Sequence, residues 1–229
     1  MADDPVFLIT GASSGIGAAT ARHATRAGHR VVLAARREEE LRDLAQELGG
    51  EERALVVPTD VGEWEGQEAL VQRTLDTFGR LDVAFANAGF GATRGFQNET
   101  PELWRSMVLT NVLGVAYTIR ATMDALRDST GHLVITSSVA GRRALLGSLY
   151  SATKHAVTAM AESARQEFAD SGVRVTCIEP GMVDTPFFEQ RPENALHPDD
   201  IARAVLYAVE QPPHVDVNEI LVRPVAQPS

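Results

Sequence analysis

Val6-Phe7-Leu8-Ile9-Thr10-Gly11-Ala12-Ser13-Ser14-Gly15-Ile16-Gly17 is the stretch on which the fold turns. Residues 6–9 are a short apolar run, the signature of a buried strand. The glycines that follow let the backbone turn tightly and approach a ligand closely, and an Ala-rich helical stretch then runs to Gly28. The start of that helix offers unpaired N–H groups and its positive end to a pyrophosphate. The spacing Gly-x-x-x-Gly-x-Gly differs from the commoner Gly-x-Gly-x-x-Gly, but its place between a strand and a helix reads as nucleotide binding in an α/β chain.

Outward from that turn, strands and helices alternate. Residues 30–35 form a second strand ending in Ala35-Arg36-Arg37. In a dinucleotide fold an acid here binds a ribose 2′-hydroxyl, whereas arginine accommodates a 2′-phosphate, so NADP is favoured over NAD. Arg36 is assigned to the phosphate; Arg37 is also placed to pair with Glu38, Glu39 or Glu40. A helix over 38–48, a strand over 54–57 and Asp60-Val61 follow. Asp60 suits either an adenine amino group or the cap of the helix that starts near Glu63 and stops at Gly79. Residues 82–86 are the fourth strand, leading into Asn87-Ala88-Gly89 and a glycine-rich loop over 90–95.

Thr100-Pro101 opens a helical region expected to continue to Leu126, with Thr as cap and Pro in the first turn. Asn111 is polar in an otherwise apolar run, so it is either a packing amide or a functional group that needs partners. Residues 132–136 form the fifth strand, followed by Ser137-Ser138-Val139-Ala140-Gly141. A helix spans 148–169, strands 173–178 and 219–222 follow, and Pro198 opens the last helix. Residues 182–198 carry little pattern and read as a substrate lid on one domain covering 1–229.

The helix at 148–169 carries the chemistry. Tyr150 and Lys154 stand four residues apart, hence on one face. Of 21 Lys+Arg residues, Lys154 is the only lysine, and an ammonium is the compact, titratable cation that arginine cannot replace. It is expected to lower the phenol's pKa, so that Tyr150 exchanges a proton near neutral pH. The alanines at 152, 156, 159, 161 and 164 leave the helix smooth on more than one face, as packing on both the sheet and another helix requires.

A net charge of −10 argues against nucleic acid or an anionic membrane as partner. The one cysteine, Cys177, lies in an apolar run and reads as a buried thiol. The six histidines show no ligand spacing, and no metal is expected. No segment has the length and apolarity to span a bilayer, which suits a cytoplasmic protein.

Taken in order, the Thr10–Gly17 turn, Asn87-Ala88-Gly89, Asn111, Ser138, the Tyr150/Lys154 pair and Pro180-Gly181 with Thr185 resemble the short-chain dehydrogenase/reductase family over nearly the whole chain. The ending Asn218 to Pro224, with Gln227, is similar to its NADP-dependent serine and 3-hydroxy acid dehydrogenase branch. The resemblance implies a Rossmann-like, doubly wound domain with a seven-stranded parallel sheet, helices on both faces, and a homotetramer or dimer. It implies an oxidoreductase that interconverts a secondary alcohol, possibly a hydroxy acid, and its ketone. Tyr150 would be the general acid/base and Lys154 would tune it and hold the nicotinamide ribose. Ser138 would bind the substrate oxygen, and Asn111 would anchor a proton relay. The cofactor NADP(H) would lie on Gly11, Ser13, Ser14, Gly15, Ile16 and Gly17, with Asp60 and Val61 at adenine. Asn87, Ala88 and Gly89 would meet the ribose side, and Pro180, Gly181, Val183 and Thr185 the nicotinamide end. A dinucleotide-binding regulator is the alternative, but it has no use for Ser138, Tyr150 and Lys154 together.

Two features depart from that family's pattern. Ala86 replaces its usual asparagine, and the spacing from Ser138 to Tyr150 is one residue short. The deletion falls within 142–148, beside the substrate, so the cleft should be reshaped there. Phe90, Phe96, Leu145, Leu146, Met182, Phe187 and Phe188 are candidates for an apolar pocket. Arg94, Arg142, Arg143 and Arg191 are either carboxylate binders or solvated loop residues.

Overall fold

The computed structural model describes residues 4–188 and 192–227. Seven strands, β1 (Val6–Thr10), β2 (Arg30–Ala35), β3 (Ala54–Pro58), β4 (Val83–Ala86), β5 (His132–Thr136), β6 (Arg174–Pro180) and β7 (Glu219–Val222), form one sheet in the order β3-β2-β1-β4-β5-β6-β7. Every pairing is parallel. The order reverses between β1 and β4, the switch point at which open α/β sheets leave a crevice beyond the strands' carboxyl ends.

The strands are apolar without interruption because both faces are covered. Successive residues point to opposite faces. Phe7, Ile9, Val31 and Leu33 pack with α1 (Gly15–Arg26), α2 (Glu38–Glu47) and α7 (Pro198–Val209) through Ala18, Ala21, Leu41, Leu44, Ile201 and Val205. Leu8, Val32, Ala34 and Leu133 pack the other way, against Leu70, Val115, Ala125 and Val157 of α3 (Trp64–Phe78), α5 (Gly114–Ser129) and α6 (Leu149–Phe168). Cys177 is buried in this second layer, where desolvation pushes its thiol up to about 12.

Most expected elements are present, and two differ instructively. The helix expected through Leu126 is divided into α4 (Pro101–Val108), a π-helical turn over Leu109–Leu113 and α5, which ends at left-handed Thr130. The widened turn is centred on Asn111, and such bulges frequently mark functional positions. Strand β6 runs on to Pro180, beyond the expected end at Ile178, because β7 continues to pair with it through Glu179 and Pro180. The helix starts were read correctly: the Thr100 hydroxyl accepts from the Leu103 amide at 3.2 Å, and Pro198 opens α7.

Candidate active site

At the end of β1 the chain turns through Gly11 (φ 68°) and Gly15 (φ 54°), left-handed conformations that favour glycine. A side chain at Gly17 would run into the carbonyl oxygen of Gly11, so the helix can approach the turn only with glycine there. Ser14 is the N-cap of α1, yet its side chain caps nothing, which among the described residues leaves the first amides of the helix without a side-chain acceptor. That is a cradle for a phosphate. Ser13 Oγ accepts from Arg37 at 3.0 Å, and Arg37 also pairs with Glu40 at 3.0 Å. Arg36, the residue assigned to the phosphate, is exposed. Arg37 is exposed as well, and through Ser13 it is the one that reaches back across the turn. Ile16 is half-buried under the same turn.

The ends of β1, β4 and β5 are laced together by Thr10 and Asn87. The Thr10 hydroxyl accepts from the amides of Asn87 and Ala88 at 3.0 and 3.2 Å. The Asn87 carboxamide donates to the Thr10 carbonyl at 3.0 Å and accepts from Thr136 Oγ1 at 3.1 Å. Asp60 lies beyond β3, is exposed, and accepts from the Gly62 amide at 3.0 Å. It closes its own turn just before Glu63, the N-cap of α3. Val61 is buried against Gly114, so its side chain belongs to the core.

Asn111 is fully buried. Its side-chain oxygen accepts from the Phe90 amide at 3.0 Å, and its NH₂ donates to the Phe90 carbonyl at 2.8 Å and to Thr153 Oγ1 at 3.2 Å. The π-turn thus fastens the 88–91 loop to α6 beside Lys154. Gly89 fits between them: a β-carbon there would lie 3.2 Å from Asn111 Oδ1 and 3.7 Å from Lys154 Nζ.

Lys154 is 4% exposed and its ammonium donates to the Thr136 carbonyl at 2.7 Å. It stands 5.8 Å from the centre of the Tyr150 ring. Ser138 sits at the end of β5, where its hydroxyl donates to the Pro180 carbonyl at 3.3 Å and faces the phenol of Tyr150, whose ionised form it favours. Serine, phenol and amine are therefore together, and the shortened loop leaves Ser138 within reach. The expected lowering of the phenol's pKa is corrected. Desolvation dominates and pushes Tyr150 up to about 12, with Ser138 pulling the other way. The same desolvation brings Lys154 down to about 8. Removing water costs each charged form more than a cation several ångströms from the ring returns.

Beyond β6, Pro180 and Gly181 continue to Val183, which is buried and bridges to Leu196. Thr185 leans on the glycine turn, 3.0 Å from where a β-carbon on Gly15 would be. Phe187 stacks edge-on against Tyr150 at 5.4 Å between centroids and against Phe188 at 5.1 Å. It also fills the space above Gly91, where a β-carbon would come within 2.6 Å of its ring. Not every apolar candidate joins this wall. Leu146 is 91% exposed, and Phe96 turns outward onto Trp104, because the 95–96 and 146–147 loop tips pair with each other through Gly95 and Gly147 rather than folding inward. Phe90, Leu145 and Met182 are half-buried.

Arg142 is not a free cation for a substrate carboxylate. It is held by Glu179, at 2.7 and 2.8 Å from its Nε, and by Glu219. Arg94 and Arg143 are exposed, and Arg191 lies outside the described residues. Thr136, Thr153 and Glu179 were missed as contributors. Of these, only Glu179 carried a signal: a carboxylate closing an apolar run needs a partner.

Comparison with known proteins adds the family. Residues 5–196 match the family described as short chain dehydrogenase. An uncharacterized oxidoreductase of Staphylococcus aureus (strain MW2) is 41% identical over 227 residues, covering 97% of this chain and 98% of its own. The crystal structure of an alcohol dehydrogenase from the archaeon Thermococcus sibiricus, complexed with 5-hydroxy-NADP, superposes with a TM-score of 0.92 at 34% identity over 98% of each chain. A 3-ketoacyl-(acyl-carrier-protein) reductase from Brucella melitensis, complexed with NADH, gives a TM-score of 0.91 at 25% identity, covering 98% of this chain and 99% of its own.

Proposed function

The chain belongs to the short chain dehydrogenase family, and from that premise we propose that it is an NADP(H)-dependent oxidoreductase interconverting a secondary alcohol and the corresponding ketone, with Tyr150 as general acid/base. The observation that carries this reading is the meeting of Ser138, Tyr150 and Lys154 at the crevice beyond β5, the same edge of the sheet as the glycine turn.

The residues fit a dinucleotide. The first amides of α1 and the close approach allowed by Gly11, Gly15 and Gly17 suit a pyrophosphate. No acid ends β2, and Arg36 and Arg37 follow it, which suits a 2′-phosphate. The solved relatives carry an NADP derivative in one case and NADH in the other, so the preference rests on these two arginines. Lys154 has three N–H donors and gives one to Thr136, which leaves others to direct at a ribose hydroxyl. Bound in the crevice, a nicotinamide supplies or accepts the hydride.

The chain's own task is the proton. In reduction, Ser138 and Tyr150 hold the carbonyl oxygen, and the phenol donates its proton to that oxygen as the carbon is reduced. In oxidation Tyr150 takes the hydroxyl proton back. A phenol at about 12 is protonated at neutral pH and so is set for reduction. Below about pH 8 Lys154 is an ammonium that favours the phenolate left after transfer. Asn111 braces the relay by holding the 88–91 loop against α6. Residues 182–188 and 192–198 close over the substrate as a lid on a single domain, residues 189–191 lying outside the described residues, and α6 docks a second copy through its exposed Ala152 and Ala159 in a dimer or tetramer.

The wild type, assayed by NADPH absorbance with acetophenone, cyclohexanone and acetoacetate, should reduce at least one of them. Tyr150→Phe should lower kcat by about 10³-fold, within the span of general acid–base assistance, and still bind NADPH. Turnover retained by the variant overturns the assigned chemistry.

A further inference from the structure

Glu179 is wholly buried one residue before Pro180, and the mechanism above leaves it without a role. Its carboxylate receives the Nε of Arg142 on both oxygens, at 2.7 and 2.8 Å, and faces Thr158, one turn beyond Lys154, whose hydroxyl donates to the Lys154 carbonyl at 3.1 Å. Thr158 Oγ1 in turn lies 2.7 Å from Ser137 Oγ, which donates to the Lys154 carbonyl at 3.0 Å. Arg142 ends the short turn Val139–Gly141 that leaves Ser138. Gly141 rests directly on α6: a β-carbon there would meet Ser137 Oγ and Thr158 Oγ1 at 2.6 Å. One carboxylate therefore ties together the segments bearing Ser138, Lys154 and Pro180, whose carbonyl receives the Ser138 hydroxyl.

Glu179 is buried and Arg142 exposed, and an ion pair is weak as a stabiliser whether at the surface or buried, since apolar residues of similar volume often serve as well or better inside. What it does supply is a fixed geometry, and here the loop that needs fixing is the one shortened between Ser138 and Tyr150. We infer that Glu179, clamped by Arg142, is a positioning residue that sets the Ser138 hydroxyl against the Tyr150 phenol. The inference rests on the proposed oxidoreductase reading.

The test is a mutant cycle on kcat, using the ketone of the panel that the wild type reduces fastest. Glu179→Gln should lower kcat by about 10-fold with the NADPH dissociation constant unchanged, and in a Ser138→Ala background it should cost less than about twofold more, because both changes remove one interaction. If Glu179→Gln fails to fold, Arg142→Met with Glu179→Met removes both charges together and should show the same loss and the same non-additivity. Wild-type kcat in the glutamine variant, or losses that multiply with Ser138→Ala, overturns the positioning role and leaves the oxidoreductase reading intact. A wild type that reduces no ketone of the panel overturns that reading and the inference with it.

Discussion

The turn after β1 and the wall beyond β5 lie on the same edge of one sheet but are built by opposite means. The first is backbone: Gly11 and Gly15 in left-handed conformations, Gly17 where no β-carbon fits, and a helix start that no side chain caps. The second is side chains drawn from distant parts of the chain, with Asn111, Ser138, Lys154 and Glu179 buried and Tyr150 half-buried beyond β4, β5 and β6. A backbone cradle recognises what all dinucleotides share, whereas converging side chains hold the protons. Damage to the first should appear as lost affinity and damage to the second as lost turnover.

Lys154 is where the two regions meet, and it should show the largest effect. Lys154→Met should lower kcat by on the order of 10²–10⁴, the span of general acid–base assistance, and also raise the NADPH dissociation constant. A fall in kcat with unchanged affinity would confine the amine to the reacting wall. Gly17→Ala should do the opposite. Its methyl must displace the Gly11 carbonyl, and such overpacking costs about 1–3 kcal/mol, so NADPH should bind about 10- to 100-fold more weakly while kcat at saturation stays near wild type. Unchanged binding, measured by fluorescence titration, would break the contrast.

A third prediction uses the strands' amino ends, remote from both regions. His132 is buried at the start of β5, and desolvation, with Arg174 adding to it, holds its pKa down near 3. The unfolded chain therefore takes up a proton below about pH 6.5 that the folded chain refuses, and stability falls as pH drops from there toward 3. Between pH 7 and pH 5 this group alone should cost about 2 kcal/mol, read as a lower urea midpoint and cancelled in His132→Asn. A flat wild-type midpoint over that range would show the imidazole protonated in the fold. The smallest effect is at the cradle's rim. Replacing Arg36 or Arg37 with Ala should weaken NADPH by about 10-fold, the worth of one charge-assisted contact, and leave NADH unchanged. Equal loss for both cofactors would detach the arginines from the 2′-phosphate. The larger loss should fall on Arg37, since it already contacts the turn through Ser13.

By itself the sequence determined whatever short-range chemistry specifies: the β1 turn from its glycines, the starts of α4 and α7 from Thr100 and the prolines, the buried strands from uninterrupted apolar runs, and the Tyr150/Lys154 face from helical periodicity. Only the tertiary structure decided what depends on partners far along the chain. Arg142 was legible as a loop cation but not as the clamp on Glu179, 37 residues away. Phe96 and Leu146 were legible as apolar but not as exposed, and Asn111 as a polar intruder but not as the centre of a π-turn. Nor did the i,i+4 spacing reveal that burial outweighs the ammonium at the phenol. Torsional preference and capping act within a few residues and are written in the local chain, whereas desolvation and convergent hydrogen bonding exist only once the sheet has brought distant residues side by side.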